Sequence, residues 1–270
     1  MKYINCKKYA QEILDEVRDA PIKKTLAIIT VGENEASKSY VKGKIKDAEY
    51  CGIPVEHIKI EDDEFAGVKL VTIIDKLNVN KDVAGIILQL PLPKWMGDPK
   101  QYTERILPHK DVDGFRQNSI YEPCTPKGIM YLLEQEVGDL TGLNALVIGR
   151  SDIVGKPLAK MLLGANCTVT VAHSKTHDYA LMHFCDSADI VVCAVGKANF
   201  LDLNACWNSI VIDVGINRDE NGKLCGDCYA FDDNNYDGVE VTPVPGGVGL
   251  LTRAMLMRNV LEASQFCVEG

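Results

Sequence analysis

The chain has 270 residues, 46% hydrophobic and 25% charged, with a formal net charge of −9. That charge opposes nucleic acid or an anionic membrane as a partner, because the field of the whole molecule repels both. No apolar run is long enough to span a bilayer and Met1 to Lys8 carry no signal-peptide core, so a cytoplasmic protein is expected.

The length suits two modest domains better than one large one. Near-continuous apolar runs alternate with helical patterns in the first half, which is the mark of parallel strands covered on both faces. In chain order they read as strand 25–31, helix 37–51, strand 57–60, helix 65–77 and strand 83–90, the last stopped by Pro91 and Pro93. A turn-rich segment from Pro108 to Glu122 is expected to be the crossing between domains. Thr125 and Pro126 then read as N-cap and first residue of a helix reaching Glu136.

The run from Ala145 to Pro157 passes from a buried-type strand through glycines 149 and 155 into a helix, beside Arg150 and Ser151. Backbone N–H groups and the positive end of a helix dipole favour an anion there, so the segment reads as a phosphate cradle. Its Gly-x5-Gly spacing is not the Gly-x-Gly-x2-Gly dinucleotide fingerprint. The next strand, 167–173, ends in His173-Ser174-Lys175, where an NAD-binding unit usually places a carboxylate for the ribose 2′-hydroxyl. A carboxylate would repel a 2′-phosphate, whereas Ser174, Lys175 and Arg150 can hold one, so NADP is the expected cofactor. Helix 178–185 and strands 189–195 and 210–215 complete a doubly wound pattern, and a terminal helix, 248–264, is expected to pack back on the first domain.

The fold class expected is therefore α/β with two domains. Residues 1–118 plus 250–270 form an N-terminal α/β catalytic domain, and residues 119–249 a Rossmann-type NADP-binding domain.

Tyr40 and Lys44 stand one turn apart on the first long helix, while Lys42 and Lys46 fall on other faces as solvated lysines. A partly desolvated lysine can act as a base or remain a cation that polarises a leaving group. Gln89 lies at the carboxyl end of a buried strand, where α/β sheets place ligand contacts. Asp111 and Asp113 share a side if their segment is extended, and such a carboxylate could accept two parallel N–H bonds from a guanidine-like ring. The stretch Thr242 to Gly249 has two prolines and three glycines, a composition that exposes backbone amides, notably around Pro245, Gly246 and Gly247.

The five histidines form no metal-spaced cluster, and no Gly-x-Ser-x-Gly or His-Glu-x2-His occurs. No metal is expected. The ten cysteines read as reduced core thiols, and Cys225-Gly-Asp-Cys228, lacking a second Cys or His pair nearby, reads as a turn.

Eight segments, in this order, resemble the bifunctional methylenetetrahydrofolate dehydrogenase/cyclohydrolase family over nearly the whole chain: residues 39–44 with Gly52-Ile53, 89–93, 110–114, 123–126, 149–151 with 154–155, 173–174, 213–217 and 243–249. The resemblance implies that NADP takes hydride from 5,10-methylenetetrahydrofolate and that water opens the methenyl product to 10-formyltetrahydrofolate in the same cleft. It implies that Lys44 is the key group for hydrolysis, that Tyr40 and Gln89 position it, and that Asp113 holds the pterin. Cofactor contacts are implied for Gly149, Arg150, Ser151, Val154, Gly155, Ser174, Lys175 and Ile216, and folate contacts for Pro245, Gly246 and Gly247. A homodimer joined through the nucleotide domains is also implied. Two stretches depart from the family pattern: the link from Gly114 to Pro123 is short, and Leu250 stands where a proline is usual. The alternatives are a dehydrogenase without hydrolytic activity, which Tyr40, Lys44 and Gln89 weigh against, a non-catalytic NADP-binding protein, which needs no lysine–tyrosine pair, and an unrelated NADP enzyme such as a shikimate-type dehydrogenase, which the Asp113 segment and the Pro243 to Gly249 loop weigh against.

Overall fold

The computed structural model describes residues 1–21, 23–230 and 238–266. The chain begins with β1 (Lys2–Tyr3), α1 (Cys6–Asp19), β2 (Thr25–Val31), α2 (Glu35–Tyr50) and β3 (Val55–Ile60). Next come α3 (Ala66–Val79), β4 (Val83–Leu88), the single turn α4 (Lys100–Thr103), α5 (Cys124–Glu136), β5 (Asn144–Ile148) and α6 (Gly155–Gly164). After these are β6 (Thr168–Ala172), α7 (Asp178–Asp186), β7 (Ile190–Cys193), β8 (Leu201–Asp202) and β9 (Ile210–Asp213). The short strands β10 (Asn217–Arg218), β11 (Leu224–Cys225), β12 (Cys228–Tyr229) and β13 (Glu240–Val241) lead to the terminal helix α8 (Val248–Phe266).

The chain divides into two compact units, one of Met1–Ala10 with Thr125–Thr252, the other of Gln11–Cys124 with Arg253–Gly270. The sequence reading placed the first ten residues with the catalytic domain. In the fold β1 pairs in parallel with β13, Lys2 opposite Glu240, so those residues group by contacts with the six-stranded unit.

In the other unit, three parallel strands lie in the order β3-β2-β4. Leu70, Ile74 and Leu77 of α3 pack against Ala27, Ile29 and Val31 of β2, and all six residues of β4 are buried. Residues of α8 from Arg253 onward close this core, as expected of the terminal helix: Asn259 Nδ2 donates to the Val112 carbonyl (2.9 Å) and Ser264 Oγ accepts from the Lys24 amide (3.0 Å). Sequence reasoning passed over α1, although Cys6, Tyr9, Ala10, Ile13, Leu14 and Val17 follow helical spacing and are all buried.

The second unit is an all-parallel sheet in the order β1-β13-β9-β7-β5-β6. Its nucleotide-type strands run second, first, third, fourth, fifth in chain order, so the winding reverses between β5 and β7, where open α/β sheets bind ligands. Leu146, Ile148, Val191, Cys193 and Val211 form its centre.

Several boundaries shift. The strand expected over 83–90 ends at Leu88, although the Gln89 amide still donates to the Ile29 carbonyl (2.9 Å). The helix expected to be capped by Thr125 starts at Cys124, and Thr125 Oγ1 bonds Thr252 Oγ1 instead (3.0 Å). Nine cysteines lie among the described residues, none of them in a disulfide, and seven are buried; the tenth, Cys267, lies outside them. Burial pushes the Cys6 and Cys51 thiols up to about 12.

Candidate active site

Helix α2 is started by Asn34, whose side chain accepts from the Ser37 amide (3.1 Å). Tyr40, Gly43, Lys44 and Asp47 then form one stripe of the helix at spacings of three and four. Lys44 and Asp47 are buried, whereas Tyr40 is 38% exposed. Lys42 and Lys46 are exposed, as expected. Lys44 Nζ lies 3.6 Å from Asp113 Oδ2. A lysine and an aspartate 69 positions apart in the sequence thus form a nearly buried ion pair.

Asp113 is held by its backbone. Val112 sits fully buried against Gly85 of β4, where a Cβ would meet Val112 at 2.6 Å. Gly114 turns the chain at φ +73°, so tightly that a Cβ would meet the Pro123 nitrogen at 2.7 Å. The segment is a 3-10 turn (Pro108–Lys110) and a bend, not the extended run that would set Asp111 and Asp113 side by side. Asp111 instead accepts from the Arg116 amide (2.9 Å) and braces the following loop, and burial raises its pKa.

Gln89 is placed differently from the lysine it was expected to position. Its Nε2 donates to the Leu90 carbonyl (2.8 Å) and its buried Oε1 has no partner. The residue lines a cavity of about 290 Å³ with Thr30, Ser37, Val41, Lys42 and His57. Neither Tyr40 nor Lys44 lines that cavity.

In the six-stranded unit the expected cofactor residues gather at the carboxyl ends of β5 and β6. The Gly149 amide donates to the Ala172 carbonyl (2.9 Å), which places Arg150 beside Ser174 and Lys175, all three exposed. Gly149 has φ +127°, and a Cβ there would meet the Ala194 carbonyl oxygen at 2.3 Å; one on Gly155 would meet the Gly149 oxygen at the same distance. Only glycine at both positions lets β5 turn into α6 against the end of β7. Ser151 Oγ accepts from the Val154 and Gly155 amides (3.2 and 3.3 Å), capping α6. A bare glycine turn, a helix N-terminus and two basic residues on paired strand ends fit a dinucleotide phosphate.

The same rim carries Ile216, 49% exposed after β9, and Gly249, whose Cβ would lie 3.9 Å from the Ile216 methyl. Pro245 and Gly246 are exposed, and Gly247 is buried against the Pro243 carbonyl.

Residues 4–113 match the catalytic-domain model of the tetrahydrofolate dehydrogenase/cyclohydrolase family, and residues 123–267 its NAD(P)-binding-domain model. The chain belongs to this family. It is 44% identical over 285 residues to bifunctional protein FolD 1 of Acinetobacter baylyi, covering 97% of this chain and 94% of the relative. The bifunctional FolD enzyme of Campylobacter jejuni has a crystal structure that superposes with a TM-score of 0.91 at 38% identity, covering 98% and 99%. The Trypanosoma brucei FolD structure, solved with NADP cofactor and an inhibitor, gives 0.89 at 29% identity, covering 99% and 98%. This dehydrogenase/cyclohydrolase is accordingly a bifunctional enzyme of one-carbon metabolism, an oxidoreductase and a hydrolase.

Sequence reasoning missed two groups of residues in the enzyme. Asp213 and Asp227, both buried, lie against Gly226 and Gly215 respectively: Asp213 Oδ1 takes the Gly215 and Asp227 amides (2.9 Å each), and its Oδ2 the Cys228 amide (2.9 Å). Asp227 takes the Val195, Gly196 and Lys197 amides (2.8, 2.9 and 2.9 Å) and Asn217 Nδ2 (2.8 Å). Burial raises the pKa of Asp213, opposed by those amides. The Cys225-Gly-Asp-Cys228 spacing therefore belongs to a carboxylate scaffold that shapes the loops after β7 and β9.

Arg253 is the second omission, lying across Gly43 with its Nε 2.9 Å from Asp47 Oδ2, off the axis of a hydrogen bond. Glycine inside a helix costs roughly 1 kcal/mol against alanine, and that penalty was the sequence signal for a packing reason at position 43.

Proposed function

We propose that the enzyme oxidises 5,10-methylenetetrahydrofolate with NADP and hydrolyses the methenyl product to 10-formyltetrahydrofolate, with Lys44 as the hydrolytic group and Asp113 as the pterin anchor. The observation that carries this reading is the nearly buried Lys44–Asp113 pair at 3.6 Å. A charged pair kept out of water without saturating hydrogen bonds is a poor source of stability. It is a good way to hold two reactive groups ready for a ligand.

The 2-amino-4-oxo edge of a pterin offers two parallel N–H donors, which a carboxylate accepts in one plane. When Asp113 turns to that edge, the Lys44 side chain is left beside the reacting carbon in a site nearly closed to water. Its Nζ, as general base, takes a proton from water as the oxygen adds to the electrophilic methenyl carbon. That proton passes to N5 as the C–N5 bond breaks, the hydroxyl proton of the adduct is released to water, and the carbonyl so formed remains as the formyl group on N10. Tyr40, the exposed aromatic of the stripe, offers a flat face to the p-aminobenzoyl ring. Gln89, at the strand end beside cis-Pro91, supplies a buried carbonyl oxygen that still lacks a donor.

Bound NADP supplies the hydride acceptor. Gly149, Ser151, Val154 and Gly155 would hold its pyrophosphate, Arg150, Ser174 and Lys175 its 2′-phosphate, and Ile216 would contact the cofactor, with Pro245, Gly246 and Gly247 as folate contacts. Arg150→Ala is expected to weaken NADP about tenfold while changing NAD by less than about twofold, as titration of cofactor fluorescence would show. An equal loss for both cofactors removes the 2′-phosphate role.

Asp113→Asn is the experiment for the site as a whole. It exchanges a bidentate acceptor for an amide that can donate, and the KM for the folate should rise at least about tenfold in both half-reactions. An unchanged KM rejects the anchor.

The setting we propose is a cytoplasmic homodimer that feeds formyl groups to purine biosynthesis. Cysteines used as core residues suit a reducing compartment. A dimer through the nucleotide unit is supported by the open edge of the six-stranded sheet at β6, where Val171 is 40% exposed and Leu163 of α6 is 65% exposed.

A further inference from the structure

We infer that Arg253 recognises the anionic glutamyl end of the folate substrate and sets the preference of the enzyme for glutamylated over unglutamylated forms. The inference rests on the proposed placement of the folate along α2 and names a specificity residue for that same site. Lys44 on the stripe and Asp113 facing it are buried, and Tyr40 is the outer, exposed member of the stripe. A folate with its pterin on Asp113 and its p-aminobenzoyl ring on Tyr40 must carry its glutamate past the outer end of α2. The molecule as a whole has a net charge of −9, so a ligand tail with two or more carboxylates needs a local cation.

Arg253 is that cation. Its guanidinium crosses α2 where the stripe has no side chain: a Cβ on Gly43 would fall 2.0 Å from Nη1 and 3.0 Å from Cζ. From there its charge reaches the Tyr40 phenol, opposing the upward pKa shift that burial gives that group. Asp47, buried on the next turn, lies 2.9 Å from Nε and steadies the near end of the guanidinium. Nη1 and Nη2 form the far edge of the planar fork, the edge suited to a carboxylate. With 26% of its side chain accessible, Arg253 is open to a ligand from outside while its stem is packed.

The experiment measures KM and kcat for 5,10-methylenetetrahydropteroate, which has no glutamate, and for the mono- and pentaglutamyl substrates, in wild type, Arg253→Val, Gly43→Ala and Tyr40→Ala. The wild-type enzyme should favour the glutamylated forms. Arg253→Val should raise KM for the pentaglutamate about tenfold and leave both kcat and the KM for the pteroate within about twofold. Gly43→Ala should shift KM in the same direction, because the added methyl must displace the guanidinium, while the alanine favours helix formation, so unfolding cannot cause the shift.

An unchanged pentaglutamate-to-pteroate ratio in Arg253→Val overturns the inference. So does an equal rise in both KM values, which would make the arginine a brace for Asp47 only. Tyr40→Ala separates the two levels. If it raises KM for the pteroate while Arg253→Val leaves the ratio alone, the tail assignment alone falls. If it changes nothing, the folate does not lie along α2 and both readings are lost.

Discussion

Lys44→Met abolishes hydrolysis of the methenyl compound, lowering its turnover by at least about a thousandfold, while NADP still binds with wild-type affinity. Methionine has nearly the length of lysine and none of its proton chemistry. Cofactor binding survives because the cradle around Gly149 is built by β5, β6 and β7, to which α2 supplies no residue. Stability must be followed alongside, since the change leaves the Asp113 carboxylate buried without its partner, a loss of up to about 3 kcal/mol. The double variant Lys44→Met with Asp113→Asn should recover most of that stability and none of the hydrolysis. Decay of methenyl absorbance measures the activity, and hydrolysis by Lys44→Met at the wild-type rate would take the lysine out of the mechanism.

The second large effect is expected at Asp227. Asp227→Ala removes the acceptor of three backbone amides and of Asn217 Nδ2 at a fully buried position. Each stranded donor costs about 1–3 kcal/mol, moderated where water can enter the space left by the carboxylate. A net loss of about 4 kcal/mol is expected, seen in urea as a lower midpoint for the unfolding of the six-stranded unit. NADP affinity should fall with it, because the freed segments are the loops after β7 and β9 beside the Gly149 turn. A loss under about 1 kcal/mol would show that the loops hold their shape without the carboxylate.

The parallel strands were legible because they are short apolar runs between longer helical patterns, and strand 25–31 was placed to the residue. Strand ends were less so. Leu90, Val195 and Gly215 continue the apolar text of their strands, but β4 ends at Leu88, and the Asp227 and Asp213 hydrogen bonds take the Val195 and Gly215 amides out of the ladder. For α1 the helical periodicity from Cys6 to Val17 is present in the sequence as plainly as in the other helices.

The site shows the same division. The stripe of Tyr40 and Lys44 and the glycines of the cradle are local patterns, and local spacing reveals them. Asp113 meeting Lys44, Arg253 crossing Gly43 and Asp227 meeting Asp213 are pairings between distant segments, which no window of sequence displays. Gly43 could still have pointed to the second of these. A glycine in the middle of a helix that otherwise favours long side chains marks a place where something else approaches the backbone.

The measurement closest to the centre is a single mixture of enzyme, 5,10-methylenetetrahydrofolate and NADP, followed at the absorbance of NADPH and of the methenyl compound together. Wild type should produce NADPH with little methenyl build-up, and Lys44→Met should produce NADPH with the methenyl compound accumulating in step. Absence of NADPH, or equal methenyl accumulation by both proteins, would contradict a dehydrogenase whose product is hydrolysed through Lys44.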